Sequence, residues 1–341
     1  MPIGWGIIGT GNHANNVTAP ALNKAANGKL VAVCDLNEER AKEFATKHGV
    51  ERTYDSLDKM LEDPELDVLY IATPNKLHAP QTIQAAEAGK HVLCEKPMAL
   101  TVSDAEEMIS ISHKNKVKLG VSFPGRYHPV QQEARRYIQS GIAGEIYLAK
   151  AQYCRGGSRV SSSGWRGDPK IAGAGALYGT ALHPIDILRF ILDSEVAEVR
   201  ALTDEEPPRY PVDNMVYVIM KFENGVTGVV ISGTLAHRSD NDALVYGSKA
   251  KIICKGTIGS SVLGNLGEFQ VDGDAINVRA EFPTDDYRPY TMIREVDAFN
   301  KWIEDDTEPS VTSHNGLQMV RISNAILESS RQGKAVKIEK G

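Results

Sequence analysis

Ile3-Gly4-Trp5-Gly6-Ile7-Ile8-Gly9-Thr10-Gly11-Asn12-His13-Ala14 is the stretch that decides the fold. An apolar run, Ile3–Ile8, enters a turn with G-x-G-x-x-A spacing and then a helical pattern. This is the dinucleotide-binding fingerprint with alanine in its third position, a variant the motif allows. Gly9 serves the tight turn, and Gly11 lets the backbone approach a pyrophosphate at the positive end of the following helix. The turn residues Gly9, Thr10, Gly11, Asn12 and His13 are therefore candidate cofactor ligands. A lone match would be weak; here a strand precedes it, a helix follows, and a second strand comes about 20 residues on.

That second strand ends Val33-Cys34-Asp35. Asp35 falls where an acid takes the adenosine ribose hydroxyls and repels the extra phosphate of NADP. NAD is the preferred cofactor on this reading, and Arg40 nearby leaves NADP open. Asp35 also suits the N-cap of a helix over Glu38–His48. The fourth strand delivers Thr73-Pro74-Asn75 and His78 to the same edge. Such small polar groups can line a nicotinamide ribose, and Asn75 and His78 equally suit a turn or cap.

Through residue 122 short apolar runs (Ile3–Ile8, Leu30–Cys34, Asp67–Ala72, His91–Cys94, Val117–Phe123) alternate with amphipathic stretches. The alternation predicts an α/β fold, a doubly wound parallel Rossmann sheet over residues 1–122. From residue 123 to 341 the character changes to a second α/β domain. Glu145–Tyr153 is strand-like, residues 155–175 form a Gly/Ser-rich ordered loop, and Thr180–Leu192 is helical. Met215–Phe222 and Val226–Gly233 alternate with period two around Glu223-Asn224-Gly225, a hairpin signal. Ala243–Tyr246, Lys251–Cys254 and Val336–Ile338 extend a large open, mostly antiparallel sheet. The helices Thr291–Glu304 and Asn315–Arg331 are expected against one face of it. The other face is left for a partner subunit, which predicts a homo-oligomer.

The 341 residues suit two domains. A net charge of −6 supplies no basic field for nucleic acid or anionic lipid. No apolar run is long enough to cross a bilayer, and a strand starts too early for a signal peptide. The four cysteines (Cys34, Cys94, Cys154, Cys254) lack CxxC spacing, which points to a reducing, cytoplasmic setting.

The chemistry centres on Cys94-Glu95-Lys96-Pro97 at the end of the fifth strand, at the carboxyl edge where open α/β sheets bind ligands. Pro97 biases Lys96 away from the helical region. A lysine there can move the proton that accompanies a hydride. On its own the tetrapeptide would more often be a surface Glu–Lys pair.

Gly9-Thr10-Gly11, Asp35, Thr73-Pro74-Asn75 with His78, Glu95-Lys96-Pro97 and Gly173–Asp186, in that order, resemble the glucose–fructose oxidoreductase/inositol dehydrogenase (Gfo/Idh/MocA) family. The resemblance implies a Rossmann domain, a C-terminal domain with a large open sheet, and dimers or tetramers. It also implies hydride transfer between NAD(P) and a carbinol or carbonyl carbon of a sugar, anhydrosugar or cyclitol. Lys96 matches the family's active-site lysine and His183 its histidine. Trp165-Arg166 resembles a pair near the nicotinamide, and Arg126 an arginine lining the cofactor cleft. Many members carry an aspartate four residues before the histidine, one helical turn away; this chain has Gly179. Tyr178 is a replacement donor or a packed tyrosine. His183 and Asp186 alone would read as a packed pair, and their spacing supplies too few ligands for a metal. Asp168, Lys170, Arg155 and Arg159 read as exposed loop charges. Competing functions are an NAD-dependent glycoside hydrolase of this fold and a non-catalytic NAD-binding regulator.

Overall fold

A computed structural model describes residues 2–339 apart from 158, 161–163, 206–209, 238, 260–264, 274–275 and 284–289. The chain divides into two compact units, Met1–Pro124 with Arg288–Val320, and Gly125–Tyr287 with Arg321–Gly341.

The first unit holds β1 (Ile3–Ile8), β2 (Gly28–Cys34), β3 (Arg52–Tyr54), β4 (Val68–Ile71), β5 (His91–Cys94) and β6 (Leu119–Val121). They form one sheet in the order β3-β2-β1-β4-β5-β6, with every pairing parallel. Every residue of β1 is buried, as expected for a parallel strand covered on both faces. The strand order reverses at β1, so the ends of β1 and β4 flank the crevice where such sheets bind ligands. Gly9 closes the turn there with φ +94°. A Cβ on it would fall 2.8 Å from the Ala72 carbonyl oxygen, so no side chain fits.

The return of the chain to this unit departs from a boundary at 122/123. The helix Tyr290–Asp305 brings Met292, Val296 and Phe299 into the same core as Trp5, Ile7 and Tyr70. The Trp5 indole N–H donates to Asn300 Oδ1 at 2.9 Å. The buried Glu295 accepts from Ser122 Oγ and the Phe123 N–H, both at 2.7 Å. An amphipathic pattern shows that a helix has a core face, and leaves open which sheet supplies the core.

The second unit holds β7 (Ile146–Cys154), β8 (Val196–Thr203), β9 (Met215–Phe222), β10 (Thr227–Gly233), β11 (Ala243–Gly247), β12 (Ala250–Lys255), β13 (Asn265–Gly273), β14 (Ile276–Pro283) and β15 (Val336–Lys337). Their order is β14-β13-β12-β11-β7-β10-β9-β8-β15. β7 and β10 run parallel; the remaining pairs are antiparallel. The hairpin at Glu223-Asn224-Gly225 forms as expected, with Gly225 at φ +88°. Val216, Val218, Met220 and Phe222 bury one face of β9. On the other face Leu202, Tyr217 and Ile219 stand 65%, 44% and 54% exposed. Cross-strand register places Leu202 beside Tyr217, Tyr217 beside Ile231, and Ile219 beside Val229. This face carries an exposed apolar patch, bordered by Arg200 beside Ile219 and Lys150 beside Val229. Among the described residues no helix is long and apolar enough to cross a membrane.

Candidate active site

In the first unit the ends of β1, β2, β4 and β5 bring the nucleotide-side residues to one edge. A Cβ at Gly11 would meet nothing within 4 Å. That open approach to the backbone is what a pyrophosphate requires, so the turn fits a dinucleotide. Asp35 Oδ2 accepts from the Thr10 N–H at 2.9 Å and the Thr10 hydroxyl at 2.5 Å. Its Oδ1 accepts from the Asn37 N–H at 3.0 Å, and Arg40 Nη2 lies 3.4 Å from Oδ2. Burial opposes ionisation of Asp35, but the Thr10 hydroxyl, the two N–H donors and Arg40 outweigh it and hold the carboxyl below its usual range. Asn37, rather than Asp35, caps the helix Glu38–His48, accepting from the Arg40 N–H. Leu36 between them is 91% exposed, an apolar surface beside Asp35. Its signal in the sequence is a lone leucine set between Asp and Asn at a strand end.

Glu95 joins three of these elements. Its Oε1 lies 2.9 Å from His13 Nε2 and accepts from the Tyr70 hydroxyl, and its Oε2 accepts from the Lys96 N–H at 3.2 Å. Burial pushes the Glu95 carboxyl up, but His13, then Lys96 and Tyr70, overcome that and hold it well below the carboxylate range. The fingerprint loop and the lysine are thus tied through one half-buried anion. Lys96 is half-buried, and its peptide to Pro97 is cis. His78 is buried, with Nδ1 2.7 Å from the Pro97 carbonyl and Nε2 2.9 Å from that of Thr73. Burial lowers its pKa although both carbonyls favour the charged ring. His78 therefore braces the β4 edge, which carries Thr73 and Pro74, against the β5 edge. The Thr73 hydroxyl donates to Gln81 Oε1 at 2.6 Å, and Asn75 is buried.

In the second unit every residue of the helix Leu182–Leu192 is buried except His183. The His183 and Tyr153 rings meet edge to face, centroids 5.7 Å apart at 78°. A wide π turn, Leu177–Ala181, precedes the helix, and the Leu182 N–H bonds to the Leu177 carbonyl five residues back. A regular helix from Thr180 was expected. Positions 179 and 183 are consequently not separated by one regular α turn. Gly179 is exposed and a Cβ there would meet nothing within 4 Å. Tyr178 is 3% exposed, its phenol pushed up by burial and then by the charge of Asp213.

The spacing of the sequence gives no sign of Asp213. It is 2% exposed; Oδ1 accepts from the Gly175 N–H at 2.7 Å and Oδ2 from the Leu177 N–H at 2.6 Å. Its backbone carbonyl accepts from the Ala176 N–H at 2.8 Å. A Cβ at Gly175 would lie 2.1 Å from that carbonyl oxygen. Burial raises the Asp213 carboxyl to about 6 against the pull of the two N–H donors. Asn214 Oδ1 accepts from the Val160 N–H at 2.7 Å, so adjacent residues hold both the start of the π turn and the Gly/Ser-rich loop.

Arg126, expected along the cofactor cleft, is buried with Nε and Nη2 on Asp186 at 2.8 and 2.7 Å. Asp186 also accepts from Arg189 Nη1 at 3.1 Å, and these two arginines are the partners shown for it. Trp165 opens a short turn, and the Arg166 guanidinium lies 4.3 Å from the centre of its ring. Asp168 is a helix cap, accepting from the Lys170 N–H. Arg159 stacks on Tyr210 at 3.7 Å. Residues 158 and 161–163 of this loop lie outside the described residues. Among the described residues no group of three or more His, Cys, Asp or Glu could hold a metal ion.

Residues 3–123 match the oxidoreductase family with an NAD-binding Rossmann fold, and residues 131–253 match the GFO/IDH/MocA C-terminal domain. The chain is 28% identical over 341 residues to the 1,5-anhydro-D-fructose reductase of Ensifer adhaerens, covering 99% of each. It is 28% identical over 346 residues to the myo-inositol 2-dehydrogenase of Thermotoga maritima, covering 99% of this chain and 97% of that one. A levoglucosan dehydrogenase solved with NADH and levoglucosan superposes with a TM-score of 0.86 at 28% identity, covering 100% of both chains. The paired domain matches, together with full-length similarity to sugar- and inositol-acting enzymes, establish that this chain belongs to the GFO/IDH/MocA oxidoreductase family.

Proposed function

We propose that this chain transfers a hydride between a nicotinamide dinucleotide and a carbinol or carbonyl carbon of a sugar, anhydrosugar or cyclitol, with NAD preferred. The observation carrying this reading is Glu95. A half-buried anion that holds His13 of the fingerprint loop and the backbone of Lys96 ties cofactor binding to a proton-moving group. Gly9, Thr10, Gly11, Asn12 and His13 cradle the pyrophosphate, and Asp35, kept ionised by Thr10 and Asn37, takes the ribose hydroxyls. A carboxylate there repels a ribose phosphate, which favours NAD, while Arg40 compensates in part. Thr73, Pro74 and Asn75 line the second ribose. When bound, the nicotinamide supplies the hydride acceptor or donor. Lys96 takes or returns the hydroxyl proton, and His183 polarises the reacting oxygen. Trp165 and Arg166 contact substrate or cofactor. Relatives named for anhydrofructose, inositol and levoglucosan support the substrate class. The open apolar face of the second sheet is covered by further copies of this chain, as a dimer or tetramer.

The test is a panel of aldoses, anhydrosugars and inositols with NAD or NADP, and the corresponding keto compounds with NADH or NADPH, followed by cofactor absorbance. Turnover faster with NAD than NADP supports the reading. Silence in both directions, with NADH still bound, would overturn it.

A further inference from the structure

The site reading leaves open which group stands beside His183 in place of the missing aspartate. Tyr178 is buried against Asp213, so its ring faces the interior. We propose that Tyr153 is a substrate-binding residue, its hydroxyl donating to an oxygen of the polyol that reacts at His183. This deepens the proposed function and rests on it.

Three observations lead there. First, alternation on β7 turns Ala149, Ala151 and Tyr153 toward the helix-covered face. The two alanines are fully buried, whereas Tyr153, near the strand's end, is half-buried with its ring in a T-shaped contact with that of His183. Second, the Tyr153 hydroxyl is not among the fully buried side-chain atoms that lack a hydrogen-bond partner. No described residue forms a hydrogen bond with it. A tyrosine with a packed ring ordinarily finds a partner for its hydroxyl, and among the described residues that position is left to a ligand. Third, the ring's place is built from outside the strand. Gly259, at φ +64°, would carry a Cβ 2.1 Å from the ring and 2.6 Å from the hydroxyl oxygen. The Ser232 hydroxyl pins the Tyr153 backbone, donating to its carbonyl at 2.6 Å.

The ligand chemistry follows. Burial raises the phenol above its ordinary range, the Arg155 charge opposing, so Tyr153 stays protonated across working pH and acts as a neutral donor. A neutral donor beside an imidazole suits a polyhydroxylated, uncharged ring. It fixes which hydroxyl meets His183, and so contributes to the choice of carbon oxidised.

Tyr153→Phe removes the hydroxyl and keeps the ring on His183; Gly259→Ala keeps the hydroxyl and displaces the ring. Each should lower kcat/KM about 10- to 100-fold for whichever panel sugar the wild type turns over. NADH affinity, measured by fluorescence, should stay unchanged. The loss from Tyr153→Phe should shrink on an analogue deoxygenated at the contacted carbon. A loss within about twofold on every substrate overturns the inference and leaves the proposed function standing. If the wild type turns over nothing, the proposed function fails first. Ring-13C tyrosine spectra then decide, titrated with glucose, levoglucosan and myo-inositol, the Tyr153 signal being identified by its absence in Tyr153→Phe. Movement of that signal supports the inference; no movement with any of the three overturns it.

Discussion

Lys96 and Asp213 are the two residues whose chemistry departs most from an ordinary surface or core role. Lys96 follows a half-buried anion, Glu95, at a sheet edge. Replacing it by methionine keeps the bulk of its stem and removes the ammonium group proposed to carry the proton. Turnover of Lys96→Met should fall at least about 100-fold while NADH binds within about twofold; near-wild-type turnover would remove Lys96 from the mechanism. The Asp213 carboxyl titrates at about 6 in the folded chain against an ordinary 3.8. Folding therefore favours its protonated form. That contribution is full below the ordinary value and is lost as pH rises through about 6. Between pH 4 and pH 7 the stability of the wild type relative to Asp213→Asn should fall by on the order of 3 kcal/mol, read by urea unfolding. A difference flat with pH would place the carboxyl at its ordinary value. Lys96 was legible because proline and glutamate frame it at a predicted strand end. Asp213 was not, because a lone Asp-Asn ahead of a strand says nothing about the distant N–H groups of Gly175 and Leu177 that it meets in space.

At the scale of elements, the π turn Leu177–Ala181 changes what the position of Gly179 means. An aspartate four residues before His183 would stack on it in a regular helix; the extra residue in the turn shifts that register. Gly179→Asp has room. It should leave the melting temperature within about 3 °C and kcat within about tenfold. A gain of 100-fold or more would show that the register survives the wide turn. The strands read from the sequence, β1, β9 and β10 among them, share an unbroken apolar run or strict alternation. β3, β8, β13 and β14 were not anticipated. β3 is three residues long, and in β8 charged Glu198 and Arg200 interrupt the apolar pattern. β13 and β14 owe their pairing to each other more than to any burial signal in sequence. The wide turn was equally hidden, since residues compatible with an α-helix are compatible with one i→i+5 step.

For the molecule as a whole, the open face of the second sheet carries a fourth expectation. Tyr217→Lys with Ile219→Lys puts two charges at the centre of the apolar face without touching the buried side of β9. Light scattering should report a smaller species than the wild type. An unchanged mass would show that further copies assemble elsewhere or not at all. The split of the first unit across the chain bears on how the protein is made. Its sheet leaves the ribosome with residues 1–124, yet Met292, Val296 and Phe299, which cover Trp5 and Tyr70, come from a helix ending at Asp305. At ordinary translation speeds that interval is roughly ten to forty seconds. A fragment ending at residue 124 should lack a cooperative thermal transition and bind a hydrophobic dye. Until that helix emerges, Trp5 and Tyr70 lack the apolar cover that Met292, Val296 and Phe299 give them in the folded chain.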